Sequence, residues 1–437
     1  MRRDARGVGM ERSGDDAMAR YRTIAEPLIL EFLMAQGWRQ ECIRGEFAES
    51  RQSAAAALDA LVAAGLPFRD VGDGERLFDP VEVYTFTRQA GLNGANDFWA
   101  TRCVPTGRAM VWDGRIGGGD FSLPPSPIDL GPRRYQVKLS RTYNTRALPS
   151  SGRARLRLPL PIEDAALTDL SVVIEPSIGV TASVHQAVGY LDARLDLPAP
   201  DEVTVSADLR FTARGVGPTE GTARQLNEAD AALYLRSAEG LIHVSPRISA
   251  LARTIADGET RPSRLALLFW RYVQDGFVVS GKHYDSVDPH KPLDDVLDQR
   301  IYNCQFGSAL MVSLCRAVGI PARLVTGYLL YAGPGGFHTW LEVWLEETGW
   351  TPFDLASWDL SLGGTDPLWR DCFAGQVDHR MVVERPPRLF SGPGSIRLPK
   401  AWHLLVAIEG GGTRYAFHDL ATGDLVYSEY VEVIRLD

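Results

Sequence analysis

Several things are scarce in this chain of 437 residues, and each absence excludes something. No apolar stretch approaches the roughly 18 to 20 residues that a membrane-spanning helix needs, so no membrane partner is expected. Basic charge is not in excess: 46 Lys and Arg face 55 Asp and Glu, a net charge of −9. No basic patch stands out, which argues against a nucleic-acid surface. Cysteine is sparse and odd in number, five in all. That pattern is no disulfide framework, and it suits a reducing cytoplasm in which a thiol stays free. There is no CxxC pair and no His pair at helical i, i+4 spacing, so neither a zinc site nor another metal or cofactor is expected. The first residues, Met-Arg-Arg-Asp-Ala-Arg-Gly, lack the apolar run of a secretory leader, and Met10 and Met18 are alternative starts. Internal repeats and low-complexity tracts are absent.

What is present divides the chain into regions. Residues 1–18 are charged and Gly-containing and are expected to be disordered. Residues 19–120 read as a helical accessory domain. Ile24 to Met34 is strongly apolar, Ala54 to Leu66 is Ala/Leu-rich and ends at Gly65-Leu66-Pro67, and Val81 to Ala90 follows Asp79-Pro80. A winged-helix or partner-docking module fits the same pattern. Gly117-Gly118-Gly119 and Pro124-Pro125-Ser126-Pro127 then form a linker. Beyond it the period changes to two. Tyr135, Val137 and Leu139 alternate with polar residues, as do Ala154 to Leu160, Leu191 to Leu197 and Val203 to Phe211. Strands with one dry and one wet face, split by Pro, Gly and Asp turns, predict an antiparallel β-sandwich over residues 132–215. Helical patterning returns over residues 219–284, with Pro246 opening one helix and Arg264 to Gln274 forming another. After Asp354 the reading is loops, then β patterning from Trp402 to Asp437.

The segment with chemistry in it lies between. After Cys304 an apolar stripe of Phe306, Leu310 and Leu314, broadened by Met311, Cys315 and Val318, predicts a helix that Gly319 and Pro321 end. Cys304 then sits in or just before the first turn, where unpaired amides and the helix dipole favour an anion. A structural cap there would be Ser, Thr, Asp or Asn. A strand from Ala322 to Tyr331 follows, ended by Gly333-Pro334-Gly335-Gly336. The next strand puts His338, Trp340, Glu342 and Trp344 on one face. Glu346 to Gly349 turns the chain into a third strand that ends at Asp354. Across such a hairpin His338 and Asp354 are cross-strand or diagonal neighbours. Thiol, imidazole and carboxylate thus occur in the order of a nucleophile, its base and the orienter of that base. The other cysteines, Cys42, Cys103, Cys315 and Cys372, read as small buried hydrophobes. His185, His243, His283, His290, His379, His403 and His418 read as ordinary satisfied polar groups.

These quoted residues resemble the catalytic core of the transglutaminase-like superfamily: Asn303-Cys304-Gln305 at a helix start, Gly319-Ile320-Pro321-Ala322-Arg323, His338-Thr339-Trp340-Leu341-Glu342, and Gly349-Trp350 leading to Asp354. The resemblance implies an α+β fold with a papain-like core over residues 219–365, preceded by the β-sandwich and helical region and followed by a β-rich extension over 366–437. It implies a Cys304 thioester with His338 moving the proton and Asp354 fixing the ring. The backbone N–H of Cys304 is the expected oxyanion donor. The family commonly has Gly before the nucleophile. Asn303 stands there instead, the residue that next best tolerates positive φ. Trp340, on the face of His338, is expected to wall a substrate channel. Water as acceptor makes a protease or amidase acting on a peptide or protein, the reading preferred at this point. An amine acceptor makes a transglutaminase or an amide synthase of natural-product or peptide modification. A non-catalytic protein-binding scaffold is the competing class.

Overall fold

A computed structural model of the chain describes residues 130–145, 150–176, 179–185, 189–218, 225–279, 287–288, 290–331, 333–334, 337–357 and 372–385, with shorter stretches within 24–86, 103–112, 128, 405–415 and 427–437. The expectation for residues 1–18, together with Cys42, His283, His403 and His418, lies outside the described residues.

Alternating apolar residues build two five-stranded antiparallel sheets. The strands are β1 (Arg133–Asn144), β2 (Gly152–Pro159), β3 (Leu167–Pro176), β4 (Val180–His185), β5 (Tyr190–Leu197) and β6 (Glu202–Ala213). One sheet runs β3-β6-β1 and the other β4-β5-β2. Leu139 of β1 opposes Ala207 of β6, and Leu156 of β2 opposes Ala193 of β5. All four are buried in a single apolar cluster, because a period of two sends every second side chain to the same face. Four further strands complete both sheets: Gly412–Tyr415 flanks Leu405–Ile408, which lies against β2, and Gly333–Pro334 flanks Tyr427–Arg435, which runs antiparallel along β1. Arg141, itself buried, pairs with Glu429 at 2.6 Å across that last seam.

The remaining described core is helices on a four-stranded sheet. The helices are α1 (Glu228–Tyr234), α2 (Pro246–Ala256), α3 (Pro262–Gly276), α4 (Asp294–Gln299) and α5 (Cys304–Ala317). The strands are β7 (Ala322–Leu329), β8 (Phe337–Leu345), β9 (Gly349–Phe353) and β10 (Arg380–Glu384), in the order β9-β8-β7-β10. Every residue of α5 from Gln305 to Arg316 is buried, as expected of a helix that is apolar all round. Its far end is held by Arg316, which pairs with Glu239 at 3.2 Å and donates to the carbonyls of Ala322 and Arg236. In β10 the alternation serves two cores. Met381 and Val383 join the cluster of the five-stranded sheets, and Val382 joins the helical one. Among the described residues no helix is long and apolar enough to cross a membrane.

Three differences from the sequence reading stand out. Residues 19–120, read as helical, also contain a small antiparallel sheet of Ile24–Ala25, Arg76–Phe78 and Phe68–Asp70, and an antiparallel pair of Cys103–Thr106 and Ala109–Trp112. Arg76 closes it with Glu26 at 2.6 Å. Strands β3 and β4 were not foreseen; β3 has an exposed and half-buried pattern that hides its period. Strand β10 lies where only loops were expected and beyond residue 365, yet it pairs with β7.

Close packing before Cys304 sets the position of α5. A Cβ at Gly307 would stand 2.3 Å from the Tyr302 ring. The Tyr302 hydroxyl donates at 2.7 Å to the carbonyl of Leu355, next to Asp354. One ring therefore ties the start of α5 to the end of β9. Gly307→Ala is expected to lower stability by about 1–3 kcal/mol through overpacking. A fall in the urea midpoint measures it, and an unchanged midpoint would show that the ring moves aside freely.

Candidate active site

Cys304 is the first residue of α5 and is half-buried. The residue before it is an N-cap. Asn303 is extended, with φ −102° and ψ 179°, and its Oδ1 accepts from the amides of Gln305 and Phe306, each at 3.0 Å. This corrects the expectation of a positive-φ turn: Asn replaces Gly here by capping, in ordinary backbone geometry. The sulfur stands at the positive end of a 14-residue helix.

His338 enters from β8 and Asp354 from the residue after β9. Leu341 pairs with Phe353, so Asp354 falls opposite Trp340 and diagonal to His338 on the same face. The imidazole Nε2 lies 2.8 Å from Asp354 Oδ2 and 3.0 Å from Oδ1. Both side chains are buried. With Nε2 taken by the carboxylate, Nδ1 is the ring nitrogen left for the sulfur, and Cys304 hydrogen-bonds the ring. Burial alone would push the imidazole down. The charge and hydrogen bond of Asp354, with the Cys304 contact, outweigh it and raise His338 to about 9. Burial likewise opposes ionisation of Asp354, but His338, Arg380 and the hydrogen bonds hold its carboxyl well below the usual range.

Two residues that the sequence reading missed complete the carboxylate's surroundings. The Ser357 hydroxyl donates to Asp354 Oδ2 at 2.6 Å, and the amides of Ala356 and Ser357 donate to Oδ1 at 3.0 Å each. Arg380 from β10 places Nη1 3.2 Å from Asp354 Oδ2 and Nη2 2.7 Å from Asp378 Oδ1. Its only sequence signal is an Arg heading the run Met381-Val382-Val383, where a buried strand must find it a partner.

Trp340 is placed differently from its expected role as a channel wall. It is 1% exposed, lies stacked beside the His338 ring at 6.3 Å between centroids, and sits beneath the Arg380 guanidinium. An indole at a central position of β8 packs inward and supports the imidazole. Glu342, further along that face, pairs with Arg323 at 2.6 Å and Arg385 at 3.6 Å. Cys315 is deep in α5, where burial pushes its thiol up to about 12. His379 lies outside this cluster and donates from Nε2 to the Gly131 carbonyl at 2.6 Å.

Comparison with known proteins reaches the same segment. Residues 249–355 match the family model of the transglutaminase-like superfamily. A protein-glutamine gamma-glutamyltransferase of Pseudomonas aeruginosa is 31% identical over 128 residues, 26% of this chain and 18% of that enzyme's length. Among solved structures, a candidate cysteine protease from Cytophaga hutchinsonii overlaps with TM-score 0.44 at 17% identity, over 70% of this chain and 92% of that one. The periplasmic domain of TgpA from Pseudomonas aeruginosa overlaps with TM-score 0.31 at 19% identity, over 56% and 98%. The cytoplasmic location expected from the sequence is withdrawn: it rested on a cysteine count, and the TgpA domain among these neighbours is periplasmic. Sparse cysteine does not distinguish compartments, because a lone thiol has no partner to oxidise with in either.

The His338–Asp354 contact has a definite pH dependence. His338 is raised above its ordinary 6.5, so its contribution to stability is complete below about pH 6.5 and is lost as pH rises through about 9. Asp354 is depressed, so its contribution is present above about pH 4 and is lost as pH falls. An NMR titration is expected to find His338 near 9, and Asp354→Asn to bring it down, because burial then dominates. A value unmoved by that substitution would contradict the coupling.

Proposed function

From the match of residues 249–355 to the transglutaminase-like superfamily, we propose that this chain is a thiol-dependent acyl-transfer enzyme acting on a carboxamide of a peptide or protein. The observation that carries the reading is the buried 2.8 Å contact of His338 with Asp354 beside a thiol at the first residue of α5. Cys304, His338 and Asp354 are the proposed catalytic residues. Asp354 stabilises His338 as imidazolium, and the imidazolium and helix dipole stabilise Cys304 as thiolate. The thiolate attacks the amide carbon. Charge develops on the carbonyl oxygen, for which the backbone N–H of Cys304 is the proposed donor. As the C–N bond breaks, His338 delivers its proton to the departing nitrogen and a thioester remains. Neutral His338 then takes a proton from the acceptor, which attacks the thioester and frees the sulfur.

Water as acceptor gives hydrolysis, the primary reading. An amine acceptor gives a new amide, the second reading, and the named activity of the Pseudomonas aeruginosa relative favours it. An intact thiol, imidazole and carboxylate set argues against a purely binding scaffold, which needs none of the three. The proposed architecture is a papain-like α+β core over residues 219–365 with a β-sandwich before it. A glutamine-containing peptide, incubated with and without a primary amine and followed by mass spectrometry, tests this. Deamidated or cleaved peptide without amine supports hydrolysis, and amine incorporation supports the second reading. Cys304→Ala is expected to abolish either, and activity surviving that change would refute the assignment.

A further inference from the structure

Arg380 and Ser357 both lie beyond the residues that the family model matches, yet both touch Asp354. We propose that Arg380 is a positioning residue for the reaction: its guanidinium, braced by Ser357 and Asp378, fixes the Asp354 carboxylate in place and sets the pH range over which the Cys304–His338 pair is charged. The inference rests on the proposed function for its catalytic meaning.

The geometry is that of a fork. One nitrogen of Arg380 meets Asp354 Oδ2 at 3.2 Å. The other meets Asp378 Oδ1 at 2.7 Å and donates to the Ser357 hydroxyl at 3.2 Å. That hydroxyl in turn donates to Asp354 Oδ2 and stands 3.4 Å from His338 Nε2. The Trp340 and Phe373 rings lie under the guanidinium, at 5.5 Å and 5.7 Å. Arg380 is 4% exposed, so its charge is little screened by water. A planar fork can bridge two carboxylates in a way an ammonium cannot. Its position on β10, whose neighbours Met381 and Val383 are locked into the other core, makes it a rigid mount.

The electrostatic consequence has one sign. The charged and titratable groups around the imidazole are Cys304 from α5, Asp354 after β9, Arg380 and Asp378 at β10, and Tyr331 after β7. Glu342, with Arg323 and Arg385, lies further along β8. Arg380 is the cation nearest the carboxylate that holds His338. Removing a cation raises the pKa of every acid around it, so the thiol and the imidazolium should both move up.

The test follows the rate of Cys304 alkylation by iodoacetamide against pH, read on the Cys304 peptide by mass spectrometry, together with the His338 NMR titration. Neither readout needs a substrate or depends on turnover. Arg380→Gln is expected to raise the half-rate pH and the His338 midpoint by about 1 unit. Arg380→Lys keeps the charge and should leave both close to wild type. With the glutamine peptide, its kcat should still fall, by about 10- to 100-fold, with KM little changed, because the fork is lost. If Arg380→Gln fails to fold with Asp378 left unpaired, Arg380→Gln with Asp378→Asn removes that charge. The upward shift should persist, reduced, because the lost cation is the nearer of the two. A folded Arg380→Gln variant, alone or with Asp378→Asn, that retains the wild-type profiles would overturn the proposal. An inactive wild type with shifted profiles would sink the proposed function alone.

Discussion

A carboxylate that stays ionised with almost no water around it is the constraint on which this structure turns. Asp354 is fully buried, and a lone buried carboxylate takes a proton instead of a charge. Here it meets an imidazole, two backbone amides, a hydroxyl and a guanidinium. Those hydrogen bonds and the nearby cation reverse the effect of burial and keep the charge, and the charge holds the His338 proton. Everything assigned to the thiol depends on that sequence of causes. Losing one donor leaves the others facing an uncompensated group, so the parts are coupled and not additive.

The fold brings the groups of this site from separate places in the chain. Asp354, Ala356 and Ser357 come from one short stretch after β9, His338 from β8, Arg380 from β10, and the sulfur from α5. Each comes from or next to a packed element: α5, β8 and β9 share one cluster, and β10 reaches into the other. Strand β10 is pinned by Met381 and Val383 in the cluster of the five-stranded sheets. Helix α5 is pinned by its own buried length, by Arg316 at one end and by Tyr302 at the other. The β layer thereby contributes to the site without providing a residue that touches it, since β10 could not hold Arg380 in place with one face bare.

Much of this was legible in the sequence, and the reasons are physical. The adjacency of His338 and Asp354 was readable because strand periods fix their relative positions, and the register of Leu341 with Phe353 brings the two together. The alternation in Tyr135-Val137-Leu139 and in Val203-Val205-Ala207 marks residues that are buried. What escaped was set by tertiary context. Asn303 looked like a substitute for glycine because its capping partners, Gln305 and Phe306, become visible only once the helix exists. Trp340 shares a face with His338, which suggested a channel wall, but periodicity does not say whether a face is covered. Strand β10 is five residues long with a charge at each end, too short for its period to register. Its Arg380 therefore passed for a loop residue. Location failed for another reason: a cysteine count constrains pairing, not compartment.

The most direct measurement of the central claim is the ultraviolet absorbance of thiolate as a function of pH, taken as the difference between the wild-type chain and Cys304→Ser. If Asp354 and His338 hold the sulfur as an anion, the difference shows a thiolate already present well below about pH 8.5, where an ordinary thiol ionises. A difference that appears only at that ordinary value would mean that the buried carboxylate does not act on the sulfur, and the account would fail.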